Sequence, residues 1–337
     1  MALLDTNTPN GLFTGAAWFR TVLAHAMPPG STPLFLAAMR DDQTMGLLAL
    51  RQHGRTVDSL TTPYSCAFAP LFTAGLSQPD RIAACAALVQ ACAAWPVLRL
   101  DALNPNDKRI ADLIAGARAV GLAVRPFNHF GNWHETVAGL TWADYFAKRP
   151  GPLRSTVRRK TAAAQRRATT LSILRDSAGL DAAIAAYEDV YARSWKQVEP
   201  FPTFNAAMMR AFAPLGQLRL GLMRLEGHVV AAQIWLVAHG IATVVKLAHD
   251  EAYKADSPGT VLTAHMLRYL LDEEQIQEID FGRGDDAYKR DWASQRRQKI
   301  GLLLINPYRP KGMALMGRQF LADAVRRISR RFAKRIP

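Results

Sequence analysis

Apolar positions along the chain change period several times, and each change marks an element. Ala17, Trp18, Val22 and Leu23 recur at helical spacing within 14–26. After the turn Pro28-Pro29-Gly30, two short apolar runs at 34–39 and 45–50 read as a hairpin across Asp41-Asp42-Gln43. A loop-rich stretch around Pro63 and Pro70 follows, then a helix at 81–95, a strand at 97–103, a helix at 108–120 and a strand-like run at 122–127. The second half predicts a strand at 171–174, helices at 180–197 and 204–212, and a meander of three strands at 218–225, 229–238 and 241–249. A helix then starts at Ser257-Pro258-Gly259, followed by a strand at 278–281, a charged loop and a strand at 300–305. This order predicts an α+β fold (α/β with a mixed sheet) of two similar units joined near 139–154.

Length and composition fit that division. With 337 residues, 49% of them hydrophobic, the chain can bury two cores. The expected domains are 1–150, 151–308 and a carboxyl-terminal helical segment, 309–337. Cys66, Cys85 and Cys92 are an odd number without metal-ligand spacing, which points to small buried thiols in a reducing cytoplasm. Residues 1–11 lack a signal-peptide pattern. The longest uncharged stretches, 59–79 and 82–98, are broken by proline or too short to span a bilayer, which needs about 20 apolar residues. The chain is therefore expected to be soluble or to lie on a membrane surface.

The net charge of +14 is concentrated in two segments. Residues 146–175 carry +9 with no acid, and 309–337 carry +8. In the first, Leu153, Val157, Ala164 and Ala168 form one helical stripe, with Arg154, Arg158, Arg159, Arg166 and Arg167 elsewhere. This predicts a packed helix with a cationic face, which a solvated charged surface would also explain. In the second, Phe320, Leu321, Ala324, Val325, Ile328 and Phe332 share a face largely opposite Arg326, Arg327, Arg330 and Lys334. A cationic amphipathic helix over 318–335 fits an anionic membrane surface, with docking on a protein core as the rival. Aromatic residues are not interleaved with these cations, so nucleic acid is not an expected partner.

The candidate chemistry lies between 257 and 292. Ser257 suits an N-cap, Pro258 the first helical position, and Gly259 removes a side chain that would block a ligand from the free amides ahead of Thr260. Such an end attracts phosphate, although an ordinary capped helix has the same sequence. Asp280-Phe281-Gly282-Arg283-Gly284-Asp285 and Tyr288-Lys289-Arg290-Asp291-Trp292 then gather charged groups at a strand end. Tyr288 and Trp292 share a helical face, and Arg283, between two glycines, suits a tight turn that presents its guanidinium to an anion. Asp280 also reads as a hydrogen-bonded structural carboxylate, Lys289 as a surface ion pair, and His249 and His265 as structural histidines. No Ser-His-Asp, zinc or P-loop signature is present, and no metal is expected.

These motifs in combination, with Gly227-His228-Val229-Val230-Ala231, Asp250 and Tyr253, resemble the CelD/BcsL-like acetyltransferases of the GNAT superfamily, relatives of the FemABX-type peptidoglycan transferases. The resemblance covers about 153–307. It implies tandem GNAT-like domains and transfer of an acyl group from acyl-coenzyme A, acetyl or longer, to an amine. Ser257, Pro258, Gly259 and Thr260 would hold the pyrophosphate and Lys289 the tetrahedral intermediate. Asp280 and Asp285 would hold the acceptor amine or take its proton, and Arg283, Tyr288, Trp292 and Arg158 would face the substrate. Lys254-Ala255-Asp256-Ser257-Pro258-Gly259 replaces the usual Gln/Arg-x-x-Gly-x-Gly/Ala loop, so aminoacyl-tRNA stays open as donor. The resulting expectation is a cytoplasmic N-acyltransferase, peripheral to the inner membrane, acting on an amine of a cell-envelope or polysaccharide precursor. The alternatives are long-chain acyl transfer to a sphingoid base and a non-catalytic module that holds RNA or membrane.

Overall fold

The computed structural model describes residues 11–318. Along the chain come α1 (Ala16–His25), β1 (Ser31–Arg40), β2 (Gln43–His53), β3 (Thr56–Ser59), β4 (Leu71–Phe72), α2 (Gln78–Gln90), β5 (Val97–Leu103), α3 (Lys108–Ala119) and β6 (Ala123–Thr136). They are followed by α4 (Trp142–Ala147), α5 (Gly151–Gln165), β7 (Thr169–Leu174), α6 (Leu180–Ala192) and α7 (Phe204–Phe212). The last group is the meander β8 (Leu218–Leu225), β9 (His228–Ala238) and β10 (Ile241–His249), then α8 (Pro258–Asp272), β11 (Glu278–Asp280), α9 (Lys289–Trp292) and β12 (Gln295–Ile305). Apart from Arg318, the amphipathic helix expected at 318–335 lies outside the described residues.

Two compact units form, and they do not follow the linear order of the chain. One comprises 28–129 with 299–318, the other 11–27 with 130–298. The junction expected near 139–154 falls inside the second of these, between β6 and α5. α1 belongs to the second unit, where the fully buried Trp18 meets the rings of Phe204 at 5.6 Å and Phe212 at 6.4 Å. The strand expected at 300–305 instead joins the first unit's sheet, pairing with β5 from Ile300↔Leu103 to Ile305↔Val97.

In the first unit the strand order is β1-β2-β3-β5-β12, with β4 also on β2. The β1–β2 hairpin turns through Asp41 and Asp42, at φ 47° and 62°. Two successive positive φ values match the twist of the strands, and Asp tolerates them better than most residues. Leu48, Leu50, Leu88, Leu100 and Leu113 fill the core. Cys66, Cys85 and Cys92 are free and buried, and burial pushes the thiols of Cys85 and Cys92 up to about 12.

In the second unit the order is β6-β11-β10-β9-β8-β7. All these neighbours are antiparallel except β10 and β11, which run parallel over three residue pairs only, from Ile241↔Glu278 to Thr243↔Asp280. β10 continues past this point to His249 paired with β9 only, so the edge it shared with β11 is left open beyond Thr243. α8 lies close on the sheet; a Cβ on Gly221 would sit 2.5 Å from Met266 Sδ. Tyr145, Trp235, Leu262, Leu267, Ile279 and Phe281 are buried in the core beneath. Among the described residues no helix is long and apolar enough to cross a membrane.

Candidate active site

A cavity of about 340 Å³ sits where β10 runs on beyond β11. Leu247 and His249 reach it from the end of β10, Ser257, Gly259 and Thr260 from the start of α8, and Tyr288, Asp291 and Trp292 from the segment after β11. Leu153 of α5, Trp195 and the buried Gln233 complete much of the wall. Thus the helix start and the Tyr288–Trp292 segment, which the sequence places about thirty residues apart, face one space.

The helix start differs from the sequence expectation in detail. Ser257 adopts a left-handed conformation, φ 54° and ψ 47°, and its side chain makes no capping hydrogen bond. The Thr260 and Val261 amides both donate to Ser257 O, at 3.0 and 3.1 Å. Pro258 has no amide hydrogen, which leaves the Gly259 amide as the first-turn donor directed away from the helix. The Gly259 carbonyl is held by Gln233 Nε2 at 3.0 Å and Thr263 Oγ1 at 2.9 Å, and Trp235 Nε1 donates to Gln233 Oε1 at 2.9 Å. This buried network fixes the turn from below.

His249 is the group that sequence reasoning set aside. Its ring lies 4.4 Å from that of Trp195, and Nε2 is 3.4 Å from Glu251 Oε1. Burial lowers its pKa below the ordinary imidazole value, which favours the neutral, proton-accepting form. Its place at the last residue of the strand before the helix start was the available sequence signal. Tyr288 also lines the cavity; burial first, and then the Asp286 charge, raise its pKa, so the phenol keeps its proton. No hydrogen-bond partner for Tyr288 Oη exists among the described residues.

The back of Trp292 is anchored by charge. Its carbonyl accepts from Tyr145 Oη and from Arg149 Nη1 at 2.8 Å. Arg149 Nη2 also donates to Glu135 Oε1 at 2.8 Å, and Glu135 Oε2 accepts from the Ser294 amide at 2.6 Å. Burial opposes the Glu135 charge, but the bonds from Ser294 and Arg149 outweigh it and hold the pKa below the usual carboxylate value.

Several expected site residues lie elsewhere. Lys289 is buried, and its Nζ donates to Arg283 O at 2.7 Å and pairs with Asp286 at 2.9 Å; it ties down the loop and does not line the cavity. Asp280 is a structural carboxylate, accepting from Asn132 Nδ2 and the Gly282 amide at 2.7 Å and from Arg297 Nη2 at 2.6 Å. Asp285 pairs through both oxygens with Arg296 at 2.7 Å, chiefly by hydrogen bonds that lower its pKa. This pair needs Gly131, where a Cβ would fall 2.2 Å from the Asp285 oxygens. Gly282 and Gly284 take positive φ, 67° and 102°, as a tight turn requires, but the Arg283 guanidinium lies 4.5 Å over the Phe130 ring. Arg158 is exposed and stands 5.9 Å over Phe146. Of the basic helix, Leu153 faces the cavity, Lys160 donates to Ala255 O beside the helix start, and Arg167 pairs with Asp256 at 3.0 Å.

Residues 152–290 match the family model described as an acetyltransferase (GNAT) domain. The match begins in α5 and ends in α9, so it takes in most of the cavity and marks this part of the chain as an acyltransferase-type domain. No curated protein matches the sequence. Among solved structures, FemX superposes with a TM-score of 0.60 at 14% identity over 90% of this chain and 95% of that one. A conserved protein of unknown function from Bacteroides thetaiotaomicron gives 0.54 at 11% over 86% and 89%. L-PGS from Bacillus licheniformis gives 0.53 at 11% over 84% and 87%. At these identities the likeness is one of fold, a mixed α/β architecture.

Proposed function

We propose that the second unit transfers an acyl group from acyl-coenzyme A to an amine, as a CelD/BcsL-like enzyme of the GNAT type. The observation that carries this reading is the single cavity bounded by Gly259, His249 and Tyr288. The donor diphosphate would lie at the start of α8. Only one first-turn amide is free there, so Lys254 on the cavity wall and the cationic side of α5 would share its charge. The thioester would then enter the cavity toward Tyr288.

In the proposed reaction the amine nitrogen attacks the thioester carbonyl, the C–N bond forms and the C–S bond breaks. The neutral His249 takes the proton lost by nitrogen, and the Tyr288 phenol supplies one to the leaving thiolate. Trp195 and Trp292 keep water from the reacting atoms. The acceptor in this reading is an amine of a cell-envelope or polysaccharide precursor. The cationic 318–335 segment would bring the enzyme to an anionic membrane surface.

A second acceptor class, a long-chain sphingoid-type amine, is favoured by the apolar walls that Leu153, Trp195, Leu247 and Trp292 supply. Thiol release from acetyl- or palmitoyl-coenzyme A, measured with glucosamine and with sphinganine, tests both. Amine-dependent release supports the transferase, and the better acceptor decides the class. Absence of release with any donor and amine overturns the proposal.

A further inference from the structure

Trp195, whose ring lies 4.4 Å from that of His249, stands in an arch of chain, 194–198, that leaves the end of α6. The arch is lightly held. Trp195 is 47% exposed and Val198 89% exposed. Its own hydrogen bonds stay close to α6: Ser194 Oγ donates to Tyr191 O at 2.7 Å and Tyr191 Oη to Gln197 O at 3.1 Å. Both feet of the arch are instead tied by charge to the strand that carries His249. Glu199 pairs with Lys246 of β10 at 2.5 Å, and Arg193 pairs with Asp250, the residue after His249.

The second of these ties joins many groups. Asp250 is 6% exposed; its Oδ1 accepts from the Ala252 amide and its own amide donates to Val230 O, both at 2.9 Å. Arg193 Nη2 donates to Val229 O at 3.1 Å and to Asp189 Oδ2 at 2.5 Å, and Arg193 O accepts from the Glu251 amide at 3.3 Å. A planar guanidinium spread over several acceptors fixes direction as well as distance. It binds the end of α6 to the end of β10 in one geometry, two residues from Trp195 and one from His249. Removal of either charge leaves the other without its partner in a largely buried place.

We infer that Arg193 and Asp250 are positioning residues for His249: their ion pair holds the Trp195 ring over the imidazole. Neither residue lines the cavity. For its effect on turnover the inference rests on the acyl-transfer reading; the placement of the ring is measured without substrate.

The eight histidines of the full chain are isotopically labelled at Cε1 and followed by NMR as the pH is lowered. Loss of one signal in His249→Gln identifies His249, and Trp195→Ala gives its position without the indole ring current. Arg193→Gln and Asp250→Asn should each move the His249 signal at least halfway to that position. Both should also raise its titration midpoint toward 6.5, because the imidazole gains water. The charges that face the ring, Glu251, Lys254 and Lys196, are kept in both variants. Loss of the Arg193 cation would by itself raise the midpoint and loss of the Asp250 anion would lower it, so a rise in Asp250→Asn reports departure of the indole. With acetyl-coenzyme A and an accepted amine, kcat should fall about tenfold in each variant and the donor KM should change by less than about twofold. A His249 signal left at its wild-type position in both variants, or midpoints that move in opposite directions, would overturn the inference whatever the melting temperatures. Signals that move as stated in a chain without transferase activity uphold the positioning pair and count against the acyl-transfer reading instead.

Discussion

Gly259 lies against the imidazole of His249: a methyl group placed on Gly259 would stand 3.4 Å from His249 Nδ1. The strand end and the helix start therefore meet face to face, and the contact puts a neutral histidine beside the free amide. That distance is ordinary van der Waals contact, so glycine leaves between the ring and the amide a space that a side chain would occupy.

This geometry makes a pH prediction. Burial depresses the His249 pKa from 6.5, so the neutral base persists below that pH and is protonated only in more acidic solution. The acyl-transfer rate should be flat across neutral pH and fall on the acid side with a midpoint below 6.5. His249→Gln should lower kcat about 100-fold and erase that acid limb. A profile unchanged by the substitution would remove His249 from the reaction.

Tyr288 Oη has no hydrogen bond to lose within the described residues, so Tyr288→Phe should leave the melting temperature within a degree or two. Turnover should drop by roughly tenfold to 100-fold, about 1.4–2.7 kcal/mol of transition-state stabilisation. Steady-state kinetics beside a thermal melt separates the two effects.

Lys289 separates a structural tie from an oxyanion role. Its ammonium group binds the Arg283 carbonyl and Asp286 within the protein. Lys289→Met should therefore cost about 1–3 kcal/mol of stability, because the loop carbonyl loses its donor. Below the melting transition kcat should fall by less than tenfold. Loss of kcat by 100-fold or more with unchanged stability would instead give Lys289 the catalytic role that the motif resemblance implies.

Much of the fold was legible because its elements have clean periods and punctuation. The hairpin around Asp41-Asp42, the strand at 97–103, α7 and the three-strand meander all appear close to where the apolar pattern puts them. β3 and β4, four and two residues long, carry too little pattern to be read. Nor could the pattern tell that β12 returns to pair with β5, since partner choice depends on packing far along the chain.

The candidate site was legible as a neighbourhood more than as a set of roles. Ser257, Gly259 and Thr260 line one cavity with Tyr288 and Trp292, whereas Pro258 is buried in the helix and does not. Asp280, Asp285 and Lys289 were drawn in by their charge, yet each finds its partner within the protein: Arg297 on β12 and Asn132 on β6 for Asp280, Arg296 on β12 for Asp285, and Asp286 with Arg283 O in the loop for Lys289. Sequence spacing does not reveal whether a charged side chain turns inward to brace a loop or outward to meet a ligand. His249 was missed for the converse reason, because a lone histidine at a strand end carries no motif.

The most direct test is calorimetric titration of acetyl-coenzyme A into the wild-type chain and into Gly259→Val. The account predicts one-to-one binding to the wild type and at least tenfold weaker binding to the variant, with an unchanged melting temperature. The added side chain would press on His249 and shield the amide at the start of α8. Absence of binding to the wild type, or equal affinity in both proteins, would contradict the claim that this cavity receives the donor.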